Sequence, residues 1–298
     1  MLNILFIGCV QFSKVVLQHL LSKASHYRIV GVVTKKASRM NADFQDLSPL
    51  ARENGIPWIY ADQLESASLR EWVKDQSPDV IYCFGWSHLI KQDLLSVPPL
   101  GVIGYHPAEL PQNRGRHPII WALVIGLTQT ASTFFIMDEG ADSGDIISQE
   151  VIPIAYDDDA GALYHKLLVM ALNQVDLITH GFVNNQIISI PQEHDKANYW
   201  RKRNKNDGCI DWRMSSNTIY NLVRALSKPY PGAHCEYLGQ DVHIWKAKDL
   251  GVLKEYQHWE PGKVIASNHE SVVVKCGQGV ISLLDHEFPN LPEEASYL

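Results

Sequence analysis

Short apolar runs alternate with helix-period stretches along the first half of this 298-residue chain, and that alternation restricts its fold more than any other feature. Asn3 to Ile7, Ile29 to Thr34, Val80 to Phe84, Gly101 to His106, Ser132 to Met137 and Ile146 to Ile154 each read as a strand. Phe12 to Leu21, Leu47 to Asn54, Leu64 to Lys74 and His117 to Ile125 read as helices between them. Most of these runs are apolar with little alternation, as strands are when a sheet is covered on both faces. Strand–helix alternation of this kind predicts an α/β fold: a Rossmann-like, mostly parallel sheet with helices on both faces. The first turn, Gly8-Cys9-Val10-Gln11-Phe12, is neither G-x-G-x-x-G nor a P-loop, which argues against NAD and ATP.

The pattern changes after a long helical stretch that follows Asp157, Asp158 and Asp159, three aspartates placed to cap it. Tyr199 to Gly208 is basic and turn-rich. Beyond it come one amphipathic helix, Asn217 to Leu226, and short strand-like runs from His234 to Leu284. The expected organisation is a catalytic domain over residues 1–197, a linker over 198–208, and a smaller C-terminal β-barrel-like domain over 209–298.

The formal net charge is -7. A chain built to grip a polyanion usually carries the opposite balance, so nucleic acid is an unlikely partner, whereas a nucleotide diphosphate needs only two or three well-placed cations. No run reaches the roughly 20 apolar residues that span a bilayer, so no membrane partner is expected. Five scattered cysteines without a C-x-x-C pair read as free thiols of a cytoplasmic protein. No histidine or cysteine spacing supports a metal site.

Two segments carry candidate chemistry. An apolar strand delivers His106 to its carboxyl end, the edge where open α/β sheets bind ligands. A second strand runs into the acidic, glycine-punctuated loop Asp138-Glu139-Gly140-Ala141-Asp142-Ser143-Gly144-Asp145. If the strands are neighbours, a carboxylate from this loop can face His106, fix its tautomer and form an acid/base pair. A hydrolase using Ser132 or Ser143 would need the same histidine, but no G-x-S-x-G elbow is present.

His106-Pro107-x-x-Leu110-Pro111-x-x-Arg114-Gly115, followed by Met137-Asp138-Glu139-Gly140-x-Asp142-x-Gly144-Asp145, resembles the folate-dependent formyltransferase family. Asp207-Gly208-x-Ile210-Asp211-Trp212 and Pro229-Tyr230-Pro231-Gly232 are similar to the C-terminal domain of its methionyl-tRNA formyltransferases. The resemblance implies transfer of a formyl group from N10-formyltetrahydrofolate, without a metal. It implies catalytic roles for His106 and Asp142. The family's asparagine, two residues before the histidine, is replaced by Gly104, and Asn113 is the candidate substitute donor. It implies a pterin pocket made by Phe84, Gly85, Trp86, Leu89 and Ile90 with Asp138, Glu139 and Gly140. Tyr105, Arg114 and Arg116 are expected to bind the acceptor.

Arg114-Gly115-Arg116-His117-Pro118 followed by Trp121 looks most like the sugar N-formyltransferases. A nucleotide-linked amino-dideoxy sugar is therefore the expected acceptor, in the making of a surface polysaccharide such as one of the pseudaminic-acid type, with a homodimer as an admissible assembly. Methionyl-tRNA is the alternative acceptor. A non-catalytic folate binder is the remote alternative; it would have no use for His106 and Asp142 together.

Overall fold

The computed structural model describes residues 1–38 and 42–298. Arg39, at the end of the basic run after the second strand, lies outside the described residues. Packing divides the chain into two compact units: Met1–Gly115 with Thr130–Ile152 and Lys166–Trp200, and Arg116–Gln129 with Pro153–His165 and Arg201–Leu298.

In chain order the elements are β1 (Leu2–Ile7), α1 (Gln11–Lys23), β2 (Tyr27–Thr34), α2 (Ser48–Glu53), β3 (Trp58–Tyr60), α3 (Ser66–Asp75), β4 (Val80–Cys83), α4 (Gln92–Leu95), β5 (Val102–His106) and β6 (Arg114–Gly115). There follow α5 (Pro118–Val124), β7 (Gln129–Ile136), β8 (Ile146–Pro153), α6 (Ala160–Val183), β9 (Tyr199–Trp200) and α7 (Ser216–Leu226). The chain ends with β10 (Ala233–Tyr237), β11 (Gln240–Gly251), β12 (Val264–Ser267), β13 (Val272–Lys275) and β14 (Val280–His286). The main strands fall where the apolar runs predict them. The three-residue β3 is the exception, because Trp58-Ile59-Tyr60 is too short to show a period.

The first unit's sheet has the order β3-β2-β1-β4-β5-β7-β8. Pairings from β3 to β5 are parallel, and β7 then runs antiparallel to β5. This register sets Gly104 opposite Phe135 and His106 opposite Thr133. β1 and β4 sit in the middle and are buried almost throughout, which explains their unbroken apolar runs. In α1 the buried Phe12, Val16, Leu17 and Leu20 recur at helical spacing on one face. The turn before α1 is stitched to the end of β4: Ser13 Oγ donates to the Phe84 carbonyl at 2.6 Å and accepts from Val10 N–H at 3.2 Å.

Phe84 is 1% exposed, with its ring among those of Phe6, Phe12, Tyr82 and Phe134. It was expected at the pterin pocket; the structure turns it into the core instead, because it continues the inward face of β4.

In the second unit, five strands form an antiparallel sheet of order β10-β11-β14-β13-β12. Arg224 of α7 donates to the carbonyls of Ala155 and Asp158, and the Tyr156 and Tyr220 rings stack at 4.9 Å. Asp159 accepts from Ala162 N–H at 2.8 Å, so the aspartate run does cap α6. Among the described residues no helix is long and apolar enough to cross a membrane, and none of the five cysteines is in a disulfide.

Removing the Phe84 ring leaves a cavity inside this aromatic cluster. Phe84→Ala is expected to cost about 3–5 kcal/mol of stability, read as a lower urea midpoint, without a matching direct loss of folate affinity in the protein that remains folded.

Candidate active site

Pro107 biases the residue before it toward extended backbone, so β5 runs straight to its carboxyl end and presents His106 there. The imidazole is 4% exposed. Its Nε2 lies 2.8 Å from the main-chain carbonyl of Asn113, and a carbonyl can only accept, so Nε2 carries a hydrogen. Nδ1 faces Oδ2 of Asp142 at 3.5 Å. The two expected residues are thus brought together, and a second proton on the ring goes to Nδ1, beside the carboxylate.

Asp142 is held from three directions. Its backbone is left-handed, with φ 55°. Its Oδ2 accepts from the Gly115 N–H at 2.9 Å, and its main-chain carbonyl accepts from Gln192 Nε2 at 3.0 Å. Gly115 pairs with Trp200 across the short β6–β9 ladder at φ 104°, and a Cβ there would stand 2.4 Å from the Trp200 carbonyl. Only glycine fits this conformation and this approach.

Arg114, expected to touch the acceptor, does not face outward. It is 2% exposed, and donates through Nε and Nη2 to Gln192 Oε1 at 3.2 and 2.7 Å. It donates further to the Tyr199 hydroxyl at 2.9 Å and to His194 Nδ1 at 3.2 Å. A guanidinium so enclosed is a brace, because it has no side left for a ligand. Gln192 also donates to the Gly144 carbonyl at 2.6 Å, so one amide joins Arg114 to the acidic loop. Sequence reasoning missed Gln192: a lone glutamine in a loop carries no spacing signal.

A hollow of about 220 Å³ opens at the carboxyl edge of β1, β4 and β5. Gly85, Trp86, Gly104, Phe135, Met137 and Asp142 are among its lining residues. Lys35, which opens the basic segment Lys35-Lys36-Ala37-Ser38-Arg39 after the second strand, is 9% exposed with its Nζ 4.7 Å from the Trp86 ring centroid. A second hollow of about 510 Å³ is lined by Leu95, Ile136 and Met137 and by the expected Asp138, Glu139 and Gly140. Met137 lines both.

Several expected contacts are elsewhere. Ile90 is 7% exposed and belongs to the core, while Leu89 is 66% exposed. Tyr105, by contrast, lines the smaller hollow as well as stacking its ring on Phe12 at 4.4 Å, and its hydroxyl accepts from Ser132. Arg116 belongs to the second unit. Asn113 reaches His106 through its carbonyl, its side-chain oxygen accepts from Asn198, and it is absent from the lining of the hollow at Gly104. The space of the missing side chain is filled from across the sheet: a Cβ on Gly104 would lie 2.7 Å from the tip of Phe135 and 2.9 Å from Met137. The serine-nucleophile alternative fails as well, since Ser132 is wholly buried and Ser143 donates to Asp138 at 2.6 Å.

The family profile described as formyl transferase matches residues 2–175, and that of the formyl transferase C-terminal domain matches residues 202–293. Methionyl-tRNA formyltransferase of Caldanaerobacter subterraneus subsp. tengcongensis is 29% identical over 289 residues, 95% of this chain and 91% of that protein. Among solved structures, an N-formyltransferase from Helicobacter canadensis, in complex with folinic acid and dTDP-3-aminofucose, is similar with a TM-score of 0.70 at 18% identity, covering 95% of this chain and 99% of that one. WlaRD, a sugar 3N-formyl transferase solved in the presence of dTDP and 5-N-formyl-THF, is similar with a TM-score of 0.69 at 18% identity, covering 95% and 97%.

The crowding at Gly104 yields a test. Gly104→Asn must displace the Phe135 ring and Met137, and is expected to cost about 1–3 kcal/mol of stability together with most of the turnover. Phe135→Ala in the same chain is expected to relieve the clash and recover melting temperature and turnover in part. A gain in turnover from Gly104→Asn alone would contradict the packing described.

Proposed function

This chain belongs to the formyl transferase family, and we propose that it moves a formyl group from N10-formyltetrahydrofolate to the amine of a nucleotide-linked amino-dideoxy sugar. The observation that carries the reading is the His106–Asp142 pair, whose carboxylate residue lines the smaller hollow, with Met137 lining that hollow and the larger one alike. The larger hollow suits a pterin: Leu95, Ile136 and Met137 offer apolar walls, and residues 138–140 offer main-chain polar groups for its edge. N10-formyltetrahydrofolate supplies a formyl carbon attached to a nitrogen leaving group. Asp142 places the chemistry in the smaller hollow.

An amine attacks only when neutral and must lose a proton on acylation. His106 already gives its Nε2 hydrogen to Asn113, so Nδ1 is the atom that receives this proton. Asp142 lies beside it, held by Gly115, and stabilises the imidazolium. The same proton is then available for the departing nitrogen. With Gly104 in place of a side-chain amide, the positive charge of His106 takes on more of the stabilisation of the formyl oxygen. Loss of one oxyanion donor typically costs about 2.7–4 kcal/mol of barrier, which sets the scale of what the charge must offset.

For the acceptor, the net charge of -7 disfavours a polyanion spread over the surface, and the Helicobacter canadensis relative is an N-formyltransferase in complex with dTDP-3-aminofucose. This reading sets the enzyme in the cytoplasm, in the assembly of a surface polysaccharide. Methionyl-tRNA is the second reading, favoured by the 29% identity with the Caldanaerobacter protein over 95% of the chain.

Formyl transfer measured side by side with UDP- and dTDP-linked 4-amino sugars and with methionyl-tRNA decides between them. Turnover on a nucleotide sugar alone is expected; turnover on methionyl-tRNA alone would overturn the acceptor. His106→Ala is expected to abolish turnover while folate binding persists, and activity within about tenfold of the parent would assign the proton to another group. Asp142→Asn is expected to lower kcat about a hundredfold with little change in KM for the amine. An effect confined to KM would make Asp142 a binding residue.

A further inference from the structure

One buried charge of the first unit takes no part in the proton transfers at His106. Lys35 follows β2 and is 9% exposed, yet no carboxylate among the described residues pairs with it. Its Nζ stands 4.7 Å from the centroid of the Trp86 ring. The chain on either side is tied down: the Thr34 hydroxyl accepts from Leu47 N–H at 3.3 Å, and Lys36 N–H donates to Asp62 Oδ1 at 3.2 Å. The ammonium is therefore delivered from a fixed base.

Taking an ammonium out of water is unfavourable, and the face of an indole offsets only part of the loss. An apolar side chain of similar length would pack there without the penalty. A charge kept in a place where it lowers stability marks a functional position. Lys35 does not meet a ligand itself, because it lines neither hollow, whereas Trp86 lines the smaller one. The indole thus stands between the ammonium and the hollow.

Trp86 is half-buried and packs against the apolar cluster that contains Ile7, Cys83 and Ile90. Packing seats the ring, and the ammonium set against its face fixes its tilt. In the sheet order β4, which precedes Trp86, and β7, which leads to Asp142, flank β5 on either side. Trp86 and Asp142 therefore line the hollow from opposite sides of β5. We propose that Lys35 is a positioning residue for formyl transfer: it holds the Trp86 indole as the wall that sets the attacking amine opposite Asp142. Misplacement of a reacting group by about 1 Å can lower a rate on the order of a hundredfold, so a loosened wall is felt in kcat. This rests on the reading that an amine is formylated in the smaller hollow, and not on which molecule carries that amine.

The test compares the full chain with Lys35→Met, Lys35→Arg, Trp86→Ala, and Lys35→Met combined with Trp86→Ala. Turnover is measured with N10-formyltetrahydrofolate and, in parallel, a dTDP-linked 4-amino sugar and methionyl-tRNA. Lys35→Met removes a desolvated charge and keeps most of the side-chain length, so its melting temperature is expected to hold or rise. Its kcat is expected to fall about tenfold with little change in KM for N10-formyltetrahydrofolate. Lys35→Arg, whose guanidinium also stacks on an indole, is expected to stay within about threefold of the parent. In the Trp86→Ala background, Lys35→Met is expected to change kcat by less than about twofold, because the ring through which it acts is gone. The Trp86 indole N–H resonance, identified by its loss in Trp86→Ala, is expected to shift in Lys35→Met and to return toward its parent position in Lys35→Arg. A melting temperature that falls in step with turnover would make Lys35 a structural residue and overturn the proposal. An undiminished loss of kcat from Lys35→Met in the Trp86→Ala background would overturn it too, since the ammonium would then act on a ligand directly. So would parental kcat in Lys35→Met. Turnover confined to methionyl-tRNA, with the same coupling between Lys35 and Trp86, would defeat the nucleotide-sugar reading and support the positioning role.

Discussion

The guanidinium of Arg114, almost wholly out of water, forks onto the side-chain oxygen of Gln192 and so joins two loops 78 residues apart. A charge in such a place costs several kcal/mol unless it is well hydrogen-bonded, and here Gln192, Tyr199 and His194 take four of its five hydrogens. The consequence reaches His106 and Asp142 through the residues on both sides of Arg114. Asn113 accepts from His106, Gly115 donates to Asp142, and Gln192 holds the Asp142 carbonyl from below. The imidazole and the carboxylate meet because three consecutive residues are clamped by a single buried cation.

At position 104, where the family resemblance implies a side-chain amide, the space is filled by other side chains. Phe135 lies opposite in the antiparallel register and puts its ring where that side chain would begin. The result is a site whose wall beside His106 is apolar, with its charge concentrated in the histidine–aspartate pair. In a less polar surrounding each remaining charge acts over a longer range.

The second unit distributes charge differently. Its share of the chain includes a compact group of cations around Trp121, answered in part by Asp207, whose carboxyl the Arg201 guanidinium holds well below the usual range. Net charge alone hides such a group, because repulsion and attraction depend on distance and not on totals.

The amino-acid sequence by itself determined the layered α/β architecture, since strands buried on both faces must be apolar throughout and the helices between them amphipathic. It also placed His106 at a strand end, through Pro107, and Asp142 in a glycine-punctuated loop opposite, because these depend on neighbours along the chain. Residue type and spacing could not reveal that Phe84 points into the core, that Arg114 is a brace, or that Phe135 occupies the space above Gly104. Nor could they pick out Gln192, or set the Lys35 ammonium against the Trp86 ring. The tertiary structure decided these, for one physical reason: a side chain's role follows from what lies across the sheet or over the next loop. That partner is set by register and packing between segments far apart in the chain, for which local periodicity carries no record.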